Sequence, residues 1–377
     1  LKGGSLRKNF KTILTALAAL SLLILTFAIY SCCEACPVGP VEPKPYKGWL
    51  YALDYWSGWL YQIDLETDSV IDSIHHEMEG YSTGAFDVSS DGKYLAVSFT
   101  RTTPLARQLR IYNAQNLQLI IEMEGGGYPA FTGDQQKLII CGDNIEIFQV
   151  PGFALLYADE IGRSAQPVII DSFIFLLQMQ NWASGDSQFV AKYNYYVHEL
   201  DTFIITDNQG NWFSYHQFNV SEDGRYLYFG GYSGSVPSSL NCYDLDTREF
   251  IFRHYVYSVN GAVELNPTAD ELYFTDPGYS SGYESPGTVF IYDSRSGAYE
   301  GGISLFGYTT DEEAFRPLYA NGVAFTPDGN WAYVGTGNVF KAGGGIVVIN
   351  TKDRQVKNII WPDLDHYIRN MKIGPKR

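Results

Sequence analysis

The sequence predicts an all-β protein, a seven-bladed β-propeller of four-stranded antiparallel blades, closed by a C-terminal strand that completes the first blade. Three observations predict it. A strand-turn-strand phrase centred on Asp-Gly recurs along the chain, and a second hairpin at Asp-x-x-Thr follows most copies. The first unit lacks an opening strand, and a segment around Lys372 matches the missing piece.

The clearest copies of the phrase are Phe86–Val97, Phe218–Phe229 and Val323–Val334, each an apolar run, an Asp-Gly turn and a second run rich in Tyr and Val. Weaker copies lead from Phe131–Asp134 into Lys137–Ile140, from Pro167–Ser172 into Phe173–Leu176, and from Val263–Pro267 into Glu271–Phe274. The spacing of roughly 40–60 residues suits a four-stranded blade of about 40–50 residues. The second hairpin turns at Asp64–Thr67, Asp244–Thr247 and Asp293–Ser296, with an echo at Asn350. An Asp or Asn side chain bonds backbone amides two residues on, so these side chains are read as turn-setters rather than metal ligands.

In chain order, residues 1–31 read as a signal peptide, 32–45 as a tether and 46–377 as the propeller. Lys2, Arg7, Lys8 and Lys11 precede an apolar run from Ile13 to Leu25, the pattern of a secretory leader. Ile29-Tyr30-Ser31-Cys32 resembles a bacterial lipobox, which implies lipidation of Cys32 and a new N-terminus there. A plain cleaved signal and a retained membrane helix are the rival readings, because Thr12–Tyr30 approaches the length that spans a bilayer, about 20 residues. The stretch Glu34–Pro45 is Pro-rich and poor in core residues, as a tether is. The first blade then supplies strands B, C and D, beginning at Gly48, and Met371–Pro375 supplies its strand A. Pairing these segments closes the ring and removes open edges. Two of the following units, the third and fourth, lack the Asp-Gly turn.

Composition agrees, with 15% aromatics, 37 Gly and 29 Tyr. A net charge of −16 makes nucleic acid a poor partner, since an acidic surface repels phosphate. Cys33 and Cys36 have two-residue spacing, but Pro37 stands where c-type haem attachment needs His. Cys141 and Cys242 fall on strands of different blades and are expected to be separate buried thiols. His75, His76, His198, His216, His254 and His366 show no zinc spacing, and no Gly-x-Ser-x-Gly elbow or phosphate-cradling loop leads into a helix. No catalytic residue, resident metal or cofactor is assigned.

The strand order sends the long B–C and D–A connections to one rim and the short A–B and C–D turns to the other. Binding residues concentrate on loops held by a rigid scaffold. On the long-loop rim the candidates are Trp56, Trp182, Trp212, Tyr215, His216, Tyr232, Asp276, Tyr279, Tyr283, Arg316, Tyr319 and His366. Aromatics with a few polar groups suit a protein, peptide or glycan partner. Strand A lines the channel, and the position of Asp87 is taken by Asn219, Glu264, Ala324 and Lys372 in other copies. Ring closure as proposed places Lys372 beside Asp87, where the two can pair.

The copies at Phe218–Phe229 and Val323–Val334, with their Asp-x-x-Thr partners, resemble the YVTN-type β-propeller repeats of bacterial surface and envelope proteins. The resemblance implies an exported propeller that binds or assembles, sited at the periplasm or cell surface and touching membrane only through its lipid. A second resemblance leads elsewhere. Asn321–Gly329 and Leu272–Gly278 are similar to segments of gluconolactonase-type propellers, in which the Asn helps hold a divalent cation that polarises a lactone carbonyl. Carried over, it implicates Asn321 and Asn260 and makes a metal-dependent lactonase the alternative to a non-enzymatic binding scaffold.

Overall fold

A computed structural model describes residues 46–376 apart from 55–56, 76–80, 103–104, 161–163, 180–187, 204, 206–213, 233–238, 257–260, 277–278, 281–282, 285–286, 306–319, 338–343 and 361–366. The leader, the tether and Cys32 lie outside the described residues. The described strands form seven four-stranded antiparallel sheets, and no helix occurs among the described residues. Innermost strands A run at Ile368–Pro375 in blade 1, Tyr81–Val88 in blade 2, Tyr128–Phe131 in blade 3 and Ser164–Ile170 in blade 4. Those of blades 5, 6 and 7 are Ser214–Val220, Val263–Leu265 and Ala320–Phe325. A small ribbon, Tyr279–Ser280 with Tyr283–Glu284, sits in the B–C connection of blade 6.

Closure follows the expectation. Blade 1 has strands B, C and D at Gly48–Asp54, Leu60–Asp64 and Ser69–Ile74, and its strand A pairs from Gly48↔Pro375 to Leu53↔Asn370. The Tyr367 N–H donates to Asp54 Oδ1 at 2.9 Å, and Lys376 Nζ reaches Asp64 at 3.1 Å and Glu66 at 3.2 Å. Ile368 and Met371 insert between blades 7 and 1 among Leu50, Ala52, Trp331 and Tyr333.

Sheets stack because both faces of each blade are apolar. Every residue of Gly48–Asp54 is buried: Leu50 and Ala52 face blade 7, while Tyr51 and Leu53 face blade 2. Burying a side chain such as Leu50 contributes about 1.5–3 kcal/mol, so the blade interfaces carry the fold. Hydroxyls tie neighbouring blades together as well. Tyr51 of blade 1 donates to the Ala114 carbonyl in the C–D turn of blade 2, and Tyr333 of blade 7 donates to Asp68 in that of blade 1 at 3.3 Å. Tyr228 of blade 5 hydrogen-bonds Ser294 in the equivalent turn of blade 6. Tyr273 occupies the same strand position in blade 6, but its buried hydroxyl lies by Glu271 of its own strand and makes no well-formed hydrogen bond to a neighbouring blade among the described residues.

The turn residues act as read from sequence. In blade 2 Ser89 Oγ donates to Asp91 at 2.8 Å, while the amides of Lys93 and Tyr94 close on Asp91 and Ser89. Ser221 with Asp223 and Thr326 with Asp328 repeat this, and Gly92, Gly224 and Gly329 take φ of 66°, 70° and 65°. Blade 3 keeps the device without the glycine. Thr132 donates to Asp134 at 2.6 Å, and Gln135 stands at φ 62° where the other copies have Gly. Blade 4 shortens the turn to Asp171-Ser172, with Asp171 at φ 51°. At the C–D turns Asp64, Asn113, Asn194, Asp244, Asp293 and Asn350 each accept the amide two residues on. A residue at positive φ closes the same turns four positions later, at Asp68, Leu117, His198, Arg248, Gly297 and Arg354.

Candidate functional site

The inner strands surround a central cavity of about 610 Å³, lined by Asp87, Ala130, Ile169, Asn219, Glu264 and Lys372 among others. Register places these in one layer with Ala324. Each lies opposite an equivalent residue of its strand B: Lys372↔Tyr51, Asp87↔Ala96, Ala130↔Ile139 and Ile169↔Ile174. The series continues with Asn219↔Tyr228, Glu264↔Tyr273 and Ala324↔Tyr333. Sequence reading names five members of this layer, Asp87, Asn219, Glu264, Ala324 and Lys372, and the structure adds Ala130 and Ile169. Side chains alternate along an inner strand, so this position points around the channel toward the next blade.

A polar arc results. Asn219 of blade 5 hydrogen-bonds Glu264 of blade 6, and Ala324 of blade 7, buried in the core between blades 7 and 1, comes next before Lys372 of blade 1. Lys372 Nζ lies 3.9 Å from Asp87 of blade 2, confirming the pair expected from closure. The Phe131 N–H of blade 3 donates to Asp87 Oδ2 at 2.8 Å and so satisfies an amide on an exposed sheet edge. Burial pushes the Asp87 carboxyl above its ordinary range, against the opposing pull of Lys372 and the Phe131 amide. Burial pushes Glu264 up to about 7, with Lys372 and Asn219 opposing the rise. Lys372 is 59% exposed and extends into the lumen. Its pairing with Asp87 is therefore loose and water-screened.

The wall is asymmetric. Ala130 and Ile169, three and two blades away from Glu264, form an apolar side facing the polar arc. The cavity lining also includes the hydroxyl residues Ser90 and Thr132. The arrangement offers charge and shape for binding.

The rim candidates fare unevenly. Trp56, Trp182, Trp212, Arg316, Tyr319 and His366 lie outside the described residues, as does Asn260. Tyr215 and His216 fall within strand A of blade 5 beside a bulge, and Tyr232 ends strand B of the same blade. Tyr279 and Tyr283 fall on the two strands of the small ribbon. Asp276 ends strand B of blade 6 (Glu271–Asp276) and is 5% exposed. Trp59, which sequence reading passed over in favour of Trp56, stands half-exposed on this rim and stacks on His75 at 4.8 Å. Tyr128 and Tyr255 are also exposed at strand ends on this rim. No signal beyond their aromatic type distinguishes them in the sequence.

Asn321 is buried, its Nδ2 donating to the Gly337 carbonyl at 2.9 Å. Among the described residues no three His, Cys, Asp or Glu side chains gather to hold a metal ion. Cys141 and Cys242 are separate buried thiols, and burial pushes Cys242 up to about 12, far from the reactive thiolate.

Comparison with known proteins places the fold and goes no further. No family model matches the chain, and no curated protein matches it. Among solved structures, the dihydro-heme d1 dehydrogenase NirN in complex with DHE superposes with a TM-score of 0.58 at 12% identity, over 88% of this chain and 76% of that one. A functionally unknown protein from Desulfotomaculum acetoxidans gives 0.60 at 13% identity, over 87% and 99%. The Cps50 (Swd1) β-propeller domain of Myceliophteria thermophila gives 0.53 at 12% identity, over 76% and 90%. The chain is a seven-bladed β-propeller. Identities this low carry the fold alone.

Proposed function

We propose that the protein is an exported, lipid-anchored and non-enzymatic binding scaffold of the YVTN type, recognising a protein, peptide or glycan through its B–C and D–A rim. The observation that carries this reading is the contrast between the rims. At the short-turn rim the Ser, Thr, Asp and Asn side chains of the repeats are engaged within their own turns, by each other and by turn amides. The opposite rim is the one at which the B–C and D–A connections leave the described strands. It also exposes Trp59, Tyr128 and Tyr255, aromatic groups that stack on sugars and peptides.

The test is a glycan and peptide array probed with the full chain, followed by the double variant Trp59→Ala, Tyr255→Ala. Binding that falls at least tenfold in the variant supports the rim. Retained binding places recognition elsewhere. Incorporation of radiolabelled palmitate, abolished by Cys32→Ser, tests the anchor separately. The lactonase alternative is the weaker reading, because the Asn321 amide is buried and holds the Gly337 carbonyl.

A further inference from the structure

We infer that the central cavity is a binding site for a small organic ammonium, its charge seated at the Glu264 carboxylate and its carbon body lying toward Ile169 and Ala130. This goes beyond the rim reading and does not rest on it.

The two carboxylates of the layer differ in their company. Asp87 has a cation, Lys372 at 3.9 Å, and a backbone donor, the Phe131 amide at 2.8 Å. Glu264 has the neutral amide of Asn219, and no cation stands within 4 Å of it among the described residues. A carboxylate withdrawn from bulk water with no cation in contact, only the more distant Lys372, is costly to keep ionised, and its displacement to about 7 is the expression of that cost. A cation in the lumen removes it. The cavity reaches the carboxylate, since Glu264 belongs to its lining together with Ala130 and Ile169.

Charge and size narrow the ligand class. The layer holds Asp87, Glu264 and Lys372 as its ionisable groups, with Asn219, Ala324, Ala130 and Ile169 neutral, so it carries one uncompensated negative charge. That balance suits a monocation. Lys372 disfavours a multiply charged one, and its own charge is shared between Asp87 and Glu264. The cavity of about 610 Å³ falls in the range of small-molecule sites, and its apolar side accepts a short hydrocarbon body. The net charge of −16 favours the approach of cations.

Isothermal titration of the full chain with n-butylammonium at pH 8 and constant ionic strength tests the inference, with butyrate and norvaline titrated alongside. Saturable butylammonium binding is expected, weakened at least tenfold in Glu264→Gln and tightened several-fold in Lys372→Met, which removes the competing cation. In the parent protein the affinity is expected to fall between pH 8 and pH 5.5 as Glu264 takes up its proton. In Glu264→Gln that dependence is expected to disappear. Absence of saturable binding, equal binding by Glu264→Gln, or tighter binding of butyrate or norvaline than of butylammonium overturns the inference. Should the Gln variant fail to fold, the Lys372→Met and pH measurements decide the matter alone.

Discussion

At the foot of the inner strands, blades 2, 3, 5 and 7 repeat one device, a Ser or Thr hydroxyl bonded to an Asp two residues on. Two residues before that hydroxyl, the same strands carry Asp87, Ala130, Asn219 and Ala324, and the other three inner strands carry Lys372, Ile169 and Glu264. The difference is one of local sufficiency. A turn is built from its own backbone, so each copy solves the same problem in the same way. A channel-facing side chain meets its counterparts from other blades, and no repeated constraint fixes it. Repetition therefore marks scaffold, and divergence on the same strands marks the surface free to acquire a ligand.

The closing strand tests that division most severely, because Ile368–Pro375 belongs to the ring yet lacks the Asp-Gly device. Removing residues 368–377 strips Ile368 and Met371 from the interface of blades 7 and 1 and leaves the edge of Gly48–Asp54 unpaired. The largest effect is expected here, namely loss of the cooperative urea transition together with aggregation, seen by circular dichroism and size-exclusion chromatography. A soluble, cooperatively folding product would show that the ring does not depend on this closure.

The channel layer is expected to matter less for stability and in a pH-dependent way. Glu264 has a folded-state pKa of about 7, above the unfolded value of about 4.3, so the folded protein holds a proton the unfolded chain has released. Stability from this group is full below about pH 4 and falls as pH rises through 7. The loss is on the order of 2 kcal/mol, since lumen water moderates the full shift. Asp87, also raised, adds in the same direction. Glu264→Gln is expected to be the more stable protein at pH 8 and to show a flatter profile between pH 4.5 and 8 in urea titrations. A parallel profile would mean that Glu264 is as well solvated as a surface carboxylate.

Between these layers lie the tyrosines of strand B, one position in four blades with unequal partners. Tyr333→Phe deletes a bond to Asp68 and is expected to cost about 1 kcal/mol. Tyr273→Phe removes a buried hydroxyl whose company is Glu271 of its own strand, with no bond to a neighbouring blade, and is expected to cost less than Tyr333→Phe. Equal losses in urea midpoint for the two variants would mean that the Tyr273 hydroxyl is satisfied in solution.

Fold was legible in the sequence to the degree that it is local. Asp91-Gly92, Asp223-Gly224 and Asp328-Gly329 announce their turns because only a few residue types adopt that backbone. Lys372 beside Asp87 was legible one step removed, since the missing strand of blade 1 dictates which termini meet. The rest of the channel was harder. Ala130 and Ile169 were passed over as apolar residues in weaker copies, where Gln135 replaces the turn glycine in blade 3 and Asp171-Ser172 shortens the turn in blade 4. The raised state of Glu264, with an amide for company but no cation in contact, was invisible, because it depends on what blades 5, 7 and 1 place around it rather than on its own neighbours in the chain. Trp59 was missed for the same reason: its stacking on His75 joins the start of strand C to the end of strand D.

The finest probe is the blade that keeps the device while lacking its glycine. Gln135 holds φ 62°, a left-handed conformation that costs a residue with a Cβ about 1–2 kcal/mol, and its amide still donates to the Thr132 carbonyl at 2.9 Å. Gln135→Gly releases that strain but enlarges the freedom of the unfolded chain, which returns about 0.4–1 kcal/mol. The net expectation is a gain of about 0.5 kcal/mol, read as a rise in urea midpoint at unchanged slope. The reverse exchange in blade 7 sets the sign. Gly329→Ala would put a Cβ 2.1 Å from Thr268 Oγ1 and is expected to destabilise by about 1–3 kcal/mol. If Gln135→Gly destabilised instead, the turn of blade 3 would be held by its side chain rather than by the shared backbone device, and blade 3 would stand outside the rule that unites the others.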